Sequence, residues 1–382
     1  MQLSDIPGQQ AIKEYFLKIL DSQRVPHAIM ITGGDGYGKL ALAIGLAGLL
    51  ECKNKTATGA CGECSSCLKA QKNIHPDIHF SFPVIKKDNI KRAETTSTYF
   101  LNEWREFLNE YPYGNLTDWL TFLGASDKQA NINVAECNEI IKNLSLMTYE
   151  GQYKIQIIWY ADYLGKEGNR ILKLIEEPSD NTIIILILNN SNAVLNTLKS
   201  RCQSILVPPF EDEDIKSYVS QNSSLSDNDQ QELVHLVDGN LRMAIESINS
   251  SQLNYSEDLM SWFRYSYKSD PEEVVTFVET MVRNGKQENI NFLNYGLHFL
   301  REMHQLLAQK SKENLKLTEE EKMVAEKLIK LIDMNKIGQL EEIFTQSIGH
   351  IRRNLSLKIL LMSMTFEINA ILKAEVNNLV AK

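Results

Sequence analysis

Hydrophobic residues follow two different patterns along the chain. In the first 210 residues, short apolar runs alternate with segments whose apolar residues recur every three or four positions, the spacing of an amphipathic helix. The runs predict strands at 27–32, 154–159, 182–188 and 203–207. The helical spacing predicts helices at 9–22, 39–50, 134–146 and 167–176. Such alternation is typical of an α/β fold whose parallel sheet is covered on both faces.

The strand pattern ends at Pro208-Pro209, where two prolines disfavour both strand and helix interior. Beyond this boundary, helical spacing predicts short helices at 214–221, 227–237 and 241–248, then longer ones at 289–309, 318–333 and 351–373. We therefore predict three domains: an α/β domain at 1–208, a small helical lid domain at 209–255 and an all-α domain at 256–382.

Residues 79–131 do not fit the strand–helix alternation and are predicted to be a partly helical insertion. The segment carries several aromatic residues: Trp104, Tyr111, Tyr113 and Trp119. Because aromatic side chains are usually buried in cores, we expect them to pack locally rather than to form a ligand site.

Composition places the chain among ordinary globular proteins. It has 382 residues, a net charge of −9, 43% hydrophobic and 23% charged residues, which excludes a disordered or fibrous protein. Its longest apolar run, 40–50, is far shorter than the ~20 residues of a membrane span. Because residues 1–5 lack a basic or apolar leader, we expect a cytoplasmic protein. The acidic charge argues weakly against binding nucleic acid through bulk charge.

A glycine-rich loop follows the first predicted strand. Residues 33–39, with Gly33, Gly38 and Lys39, match G-x-x-x-x-G-K between a strand and a helix, the context in which such loops hold phosphates. However, Leu40 replaces the Ser or Thr that normally holds Mg²⁺. The match predicts a phosphate loop by ancestry, and it leaves open whether ATP or ADP still binds or whether the turn has no ligand.

The strand at 154–159 lacks the acidic pair that an ATPase needs at its end. Trp159 and Tyr160 stand where Asp-Glu is required, and both fit plain core packing. If the register is shifted so that Asp162 is the metal ligand, Tyr163 still replaces the catalytic base. The pattern therefore indicates a degenerate ATPase core.

Four cysteines, Cys52, Cys61, Cys64 and Cys67, fall within sixteen residues, spaced C-x8-C-x2-C-x2-C. Four thiolates complete the tetrahedral shell of a structural zinc site and leave no position open for water. An iron–sulfur cluster and four free thiols are the alternatives.

Arg201 lies in Ser200-Arg201-Cys202, just before the last predicted strand. An arginine in such a place usually forms a surface ion pair, but it can also enter a neighbouring nucleotide site as an arginine finger. On residue type alone, the ion pair is favoured.

Several motifs occur in one order along the chain: Ile6-Pro7-Gly8-Gln9, Pro26-His27-Ala28, the loop 33–39, the four cysteines, His75-Pro76-Asp77, Tyr149-Glu150-Gly151, Asn169-x2-Leu172-Lys173-x2-Glu176-Glu177-Pro178, Ser200-Arg201-Cys202 and Gly239-Asn240-Leu241-Arg242-x-Ala244. Together they resemble the delta-prime subunits of bacterial DNA polymerase III clamp loaders, relatives of AAA+ ATPases. The resemblance is close over 6–248. The helical remainder fits the family's collar domain by length and pattern.

The resemblance implies an AAA+ RecA-like domain with a zinc knuckle at 52–67, followed by lid and collar domains. It implies a heteropentamer with gamma/tau and delta subunits that opens a sliding clamp and places it on primed DNA. In it, the delta-prime subunit is a stator that does not hydrolyse ATP, and Arg201 is offered to the neighbour's ATP. Arg242, in the sensor-2 region, joins Gly33, Gly38 and Lys39 in a degenerate nucleotide site. Zinc would be structural.

Two other functions remain to be weighed. One is an active AAA+ ATPase, such as a gamma/tau-like motor subunit, which should keep Lys-Ser/Thr and Asp-Glu. The other is a zinc-bearing DNA-binding module, which the net charge of −9 does not favour.

Overall fold

The computed structural model forms two compact units. The first contains Met1–Ser224 and Val237–Ile248, and the second contains Leu225–Leu236 and Asn249–Lys382. The boundaries of the three predicted domains stay predictions. The structure describes residues 1–21, 24–126, 128–189, 196–249, 255–309, 315, 317, 319–329, 332–353 and 355–374.

A parallel sheet lies at the centre of the first unit. Its strands are β1 (Ala28–Thr32), β2 (Ile78–Ser81), β3 (Lys154–Trp159), β4 (Thr182–Leu188) and β5 (Gln203–Leu206). They pair in the order β2-β3-β4-β1-β5, and every pairing is parallel. The predicted α/β fold is confirmed, and the four predicted strands agree within one residue. Strand β2 was not predicted, because it is a four-residue edge strand in which His79 and Ser81 interrupt the apolar run.

The helices predicted up to residue 248 are confirmed within two residues at either end. In chain order they and their neighbours are α1 (Gln10–Asp21), α2 (Lys39–Glu51), α3 (Ser65–Gln71), α4 (Leu101–Glu110), α5 (Leu116–Phe122), α6 (Val134–Ser145), α7 (Gly168–Glu176), α8 (Asn196–Lys199), α9 (Asp212–Asn222), α10 (Asp227–Val237) and α11 (Leu241–Asn249). Short 3₁₀ turns occupy Leu3–Asp5, Arg92–Glu94, Ser97–Phe100 and Ala161–Glu167.

Both faces of the sheet are buried. Helix α2 contacts β1, β3 and β4, and all of its residues are buried, which explains why it shows no amphipathic pattern. Residues of α6 and α7 form a core with Met30, Ile158 and Leu186. Because side chains alternate along a strand, the equally buried Ile31 and Ile157 point to the opposite face. The central strands therefore read as continuous apolar runs.

The segment 79–131 begins with β2 and continues as an aromatic subdomain containing α4 and α5. Trp104 stacks on Phe82, with ring centroids 4.1 Å apart, and meets Trp119 edge-on at 5.3 Å. It also contacts Trp159 at the end of β3, at 5.0 Å. Trp104, Tyr111 and Trp119 pack locally as predicted, whereas Tyr113 packs on Phe210 outside the segment, with ring centroids 6.2 Å apart. Through Trp159, the subdomain is anchored on the sheet itself.

The motifs at 75–77 and 149–151 meet just before β3. The buried Asp77 carboxylate accepts hydrogen bonds from the backbone N–H groups of Tyr149 (2.6 Å), Glu150 (2.9 Å) and Gly151 (2.7 Å). Burial acts to raise the pKa of Asp77, but the three amide donors outweigh it and hold that pKa below its ordinary value. Asp77 thereby fixes the loop that leads into a central strand.

The described residues of the second unit form helices joined by turns and irregular segments and contain no strand. Besides α10 it contains α12 (Tyr255–Lys268), α13 (Pro271–Gln309), α14 (Glu319–Leu328), α15 (Met334–Arg352) and α16 (Leu357–Lys373). Gly285 interrupts α13 with a φ of 87°. The start of the helix predicted at 351–373 was wrong, because α15 ends at Arg352 and α16 begins only at Leu357. The helix predicted at 318–333 was too long, because α14 ends at Leu328. Asp333 caps α15 instead, accepting from the Lys336 N–H.

No helix among the described residues combines the length and apolarity needed to cross a membrane.

Replacing Asp77 tests whether its carboxylate anchors the loop that precedes β3. We expect Asp77→Asn to lower the free energy of unfolding by about 2 kcal/mol, because hydrogen bonds to a buried charge are lost. The folded-state pKa is depressed, so this contribution is complete above about pH 5 and is lost as pH falls through the folded pKa. Urea unfolding, followed by tryptophan fluorescence, should show the same loss of unfolding free energy at every pH between 5 and 8. The exposed Asp88→Asn is the control, and an equal loss there would contradict the assignment.

Candidate functional site

The glycine loop connects the end of β1 to the first residue of α2. Gly38 is the N-cap of α2, with a left-handed φ of 83°. Gly36 has a φ of 76°, and a Cβ there would lie only 1.8 Å from the Asn240 side chain and 3.0 Å from Cβ of Arg242. Glycine is needed at position 36 because other parts of the chain press against the loop.

The predicted phosphate ligand, Lys39, is turned into the loop. Its Nζ donates to the carbonyl oxygens of Gly33 (2.8 Å) and Gly34 (2.5 Å), and the residue is buried. Burial lowers the pKa of Lys39 to about 8, although the charges of Asp35 and Asp162 oppose this shift. The ammonium is thus charged at neutral pH and is bonded to the loop's own backbone.

The positions that hold metal in an ATPase carry other groups here. Leu40 is buried beside the loop and offers no ligand atom. Trp159 belongs to the aromatic subdomain. The Tyr160 hydroxyl donates to Asp35 Oδ1 (3.0 Å) and accepts from the Leu116 N–H (3.1 Å), so it bridges the loop and the start of α5. The side-chain amide of Asn189 also donates to Asp35.

Asp162, the alternative metal ligand, lies half-buried in the 3₁₀ turn after β3. Burial raises its pKa, the charge of Asp35 adds to that shift, and Lys39 opposes it only in part. A carboxyl group in this setting is a poorer Mg²⁺ ligand than an ordinary ionised Asp.

Arg242, at the start of α11, is held by a carboxylate of the aromatic subdomain. Its Nε and Nη2 donate to Asp118 Oδ2 (2.5 Å) and Oδ1 (2.7 Å), and Nη1 lies 3.3 Å from Glu246. The Arg242 side chain is only 11% exposed. Burial acts to lower its pKa, but the Asp118 carboxylate outweighs burial and raises that pKa above its ordinary value. The Arg242 guanidinium therefore faces carboxylates of this chain through all three of its nitrogens.

Little space is left between these groups. The cavity beside the loop has a volume of about 20 Å³ and is lined by residues of the loop, of β3 and of the segment before α5, including Lys39, Tyr113, Gly114 and Tyr160. A single water molecule needs roughly 10–15 Å³ by the same measure. The cavity as folded therefore has room for about one water molecule.

The four clustered cysteines come together in space as predicted. Their Sγ atoms all lie within 4.8 Å of one another, with Cys52–Cys61 at 3.6 Å and Cys61–Cys67 at 3.9 Å. A tetrahedral zinc with Zn–S bonds near 2.3 Å places its sulfurs roughly 3.8 Å apart. The described cysteines form no disulfide. The group can hold a metal ion such as zinc.

Backbone amides prepare these sulfurs for a cation. The Cys61 N–H donates to Cys52 Sγ (3.2 Å) and the Cys67 N–H donates to Cys64 Sγ (3.4 Å) at the start of α3. Burial acts to raise the pKa of Cys64, but amide donors overcome it and lower that pKa to about 6. Burial raises the pKa of Cys67, which favours the neutral thiol unless a cation is near. The donor set fits a divalent metal that binds thiolates.

Arg201 lies at the opposite end of the sheet from the loop. Gln203 pairs beside Ile29, so Arg201 precedes the start of β5 while the loop follows the end of β1. At about 3.3 Å per residue, the two lie roughly 20 Å apart along the strands. Arg201 Nε contacts Glu176 at 2.8 Å, and the Arg201 side chain is 39% exposed. The surface ion pair predicted from residue type is present, and the guanidinium cannot serve its own loop.

Two important site residues were not predicted. Asn115 and Asp118 form a capping box at the start of α5, and their spacing is a recognisable signal for a helix start. That signal could have located α5. It could not have revealed that Asp118 pairs with Arg242, which is 124 positions away in the sequence.

We expect the purified protein to carry about one zinc per chain and no iron. Replacing Cys64 with Ser should release the metal and lower the melting temperature, because three thiolates do not complete the shell. Elemental analysis with thiol titration measures both. The Cys202→Ser variant is the control and should keep its zinc. Four reactive thiols in metal-poor protein, or iron with visible absorption, would contradict the zinc assignment.

Known proteins share this chain's first half most clearly. The model of the family described as "DNA polymerase III, delta subunit" matches residues 8–211. The DNA polymerase III subunit delta' of Pseudomonas aeruginosa is 27% identical over 202 residues, 52% of this chain and 48% of that protein. That of Bacillus subtilis is 24% identical over 204 residues, 53% and 48% of the two chains.

A subunit gamma from Buchnera aphidicola subsp. Baizongia pistaciae is 24% identical over 339 residues, 83% of this chain and 78% of that protein. The alignments to the two delta' proteins span about half of their length. Since the family model covers more than half of the chain, and the predicted resemblance to delta-prime subunits is confirmed, the chain belongs to the DNA polymerase III delta subunit family.

Proposed function

We propose that this chain is the non-hydrolysing stator of a DNA polymerase III clamp loader. Its first 208 residues would form a degenerate AAA+ domain, with 209–255 as lid and 256–382 as collar. Its partners would be gamma/tau and delta subunits in a heteropentamer, which loads the sliding clamp onto primed DNA. Family membership supports the complex, and the structure of the loop supports the non-hydrolysing role.

The closed glycine loop is the observation that carries this proposal. Hydrolysis requires a bound triphosphate, Mg²⁺ and a positioned water. Here the cavity holds about 20 Å³, Leu40 replaces the hydroxyl ligand, and Tyr160 occupies the position of an acidic residue. Each requirement is missing for a separate physical reason, so restoring one residue would not restore turnover.

Arg201 supplies the proposed catalytic contribution, given to a neighbouring subunit. It lies at the end of the sheet away from its own loop and is part of a surface ion pair with Glu176. A guanidinium held by an exposed carboxylate can exchange that partner for the phosphate oxygens of a nucleotide. The pair therefore presents Arg201 in a defined position without burying it.

An active ATPase like subunit gamma is the second candidate. The alignment to the Buchnera subunit gamma favours it, because that alignment covers 83% of this chain. The contents of the loop argue against it, since Lys39 and Tyr160 are bonded to groups of this chain. We therefore retain the stator.

The cysteine group would act as a structural zinc module. It begins at the end of α2 with Cys52 and ends within α3 at Cys67, so a bound ion would tie the helix that follows the glycine loop to its neighbour. Four protein ligands leave no open position, so we assign this metal no chemistry.

The isolated protein should not hydrolyse ATP. We expect no Mg²⁺-dependent phosphate release above background, because the loop lacks space, metal ligands and a base. The measurement is steady-state phosphate release with and without Mg²⁺, and Lys39→Ala is the matched variant. Robust turnover that disappears in Lys39→Ala would refute the non-hydrolysing role and favour the gamma-like alternative.

In the reconstituted complex, Arg201→Ala should slow ATP hydrolysis. Arginine fingers contribute about 10³–10⁵-fold at the site they serve, and the total effect is smaller when several sites turn over. Arg201→Lys should rescue little, because an ammonium lacks the bidentate fork. Arg170→Ala, which removes another exposed arginine paired with a glutamate, is the control. Unchanged hydrolysis with Arg201→Ala in a complex that assembles normally would rule the role out.

A further inference from the structure

The two cations at the glycine loop are both neutralised or bonded by groups of the chain itself. Lys39 donates to Gly33 and Gly34, and Arg242 is held by Asp118. A buried guanidinium without an anion would be strongly destabilising, so some anion must lie beside Arg242. In this fold two carboxylates lie there: Asp118, at the start of α5, makes the bidentate pair, and Glu246 lies 3.3 Å from Nη1.

That segment, residues 112–118, lies over the loop, and we call it the covering segment. Pro112, Tyr113 and Gly114 line the cavity together with Gly38 and Lys39. The Tyr113 ring also meets the Phe210 ring edge-on, with centroids 6.2 Å apart. Phe210 in turn would lie 3.1 Å from a Cβ at Gly38.

Hydrogen bonds on two sides hold the covering segment near its carboxyl end. On its far side, the Trp119 Nε1 donates to the Pro83 carbonyl (3.0 Å) within the aromatic subdomain. On the side of the loop, Leu116 donates its N–H to Tyr160. The capping box between Asn115 and Asp118 fixes the Asp118 carboxylate in the direction of Arg242. These contacts fix the covering segment in place beside the glycine loop.

We propose that the covering segment is a built-in occupant of the glycine loop, with the Asp118 carboxylate in the place that a polyphosphate anion would take beside Arg242. The competing ligand class is therefore an inorganic or nucleoside polyphosphate. This inference rests on the proposed non-hydrolysing function. It gives a role to the predicted insertion at 79–131, which contains the covering segment. The segment keeps the loop closed without nucleotide, so the domain holds one conformation whether ATP is present or absent.

The proposal predicts that removing the Asp118 charge turns Arg242 into an anion-binding group. In Asp118→Asn the covering segment loses its bidentate ion pair, and Arg242 keeps only the Glu246 contact at 3.3 Å, so a polyanion should stabilise the variant. We expect this variant to melt at a lower temperature than the native protein. Millimolar inorganic tripolyphosphate should raise its melting temperature by several degrees and leave that of the native protein unchanged.

Two further variants make the result specific. In Asp118→Asn combined with Arg242→Gln, tripolyphosphate should no longer stabilise the protein. Asp88→Asn, which removes an exposed carboxylate of the same aromatic subdomain, should behave as the native protein does. Stabilisation of the native protein, or of none of the variants, would overturn the proposal.

A measurement on the native protein keeps the proposal testable if Asp118→Asn does not fold. Hydrogen exchange should be slow at the amides of 33–39 and at Leu116 without any ligand, and tripolyphosphate should not slow it further. Fast exchange that the anion suppresses would overturn the covering role. Such binding without hydrolysis would leave the stator function standing, whereas ATP turnover by the native protein would remove that function.

Discussion

The buried charge of Arg242 constrains the whole first unit. A guanidinium that is only 11% exposed must have an anion within bonding distance, because an unpaired charge in that position costs several kcal/mol. Asp118 supplies the bidentate partner, with Glu246 3.3 Å from Nη1, and Asp118 belongs to α5, whose Trp119 packs against Trp104 in the aromatic subdomain. The aromatic subdomain and helix α11 are therefore joined through this ion pair.

The polarity of a parallel sheet separates the glycine loop from Arg201 in this chain. All carboxyl ends of the strands lie at one edge, where the glycine loop is closed by Tyr160 and the covering segment. All amino ends lie at the other edge, where Arg201 remains partly exposed beside Glu176. The proposed stator role uses this separation: with the first edge closed, Arg201 at the second edge would serve the nucleotide of a neighbouring subunit.

Much of the fold could be predicted from periodicity, because β1, β3 and β4 are apolar runs buried on both faces and α6 and α7 repeat with helical spacing. The short edge strand β2 could not, since four residues carry too little pattern. The cysteine cluster and Arg201 were found through spacing and motif. The pairing of Asp118 with Arg242 was not, because contacts between distant residues depend on tertiary packing that one sequence does not encode locally.

The aromatic residues at the end of β3 connect the absence of an acidic pair there with the closing of the site. An acidic pair there would hold Mg²⁺ and activate water, and it would also place unpaired charge against Trp104 and Phe107. Trp159 instead packs on both rings, at 5.0 and 5.9 Å. Tyr160 holds the covering segment through Leu116. The same two side chains that leave the site without metal ligands thus supply the surface on which its cover is built, and restoring the acids would be expected to expel the cover rather than simply to add a metal site.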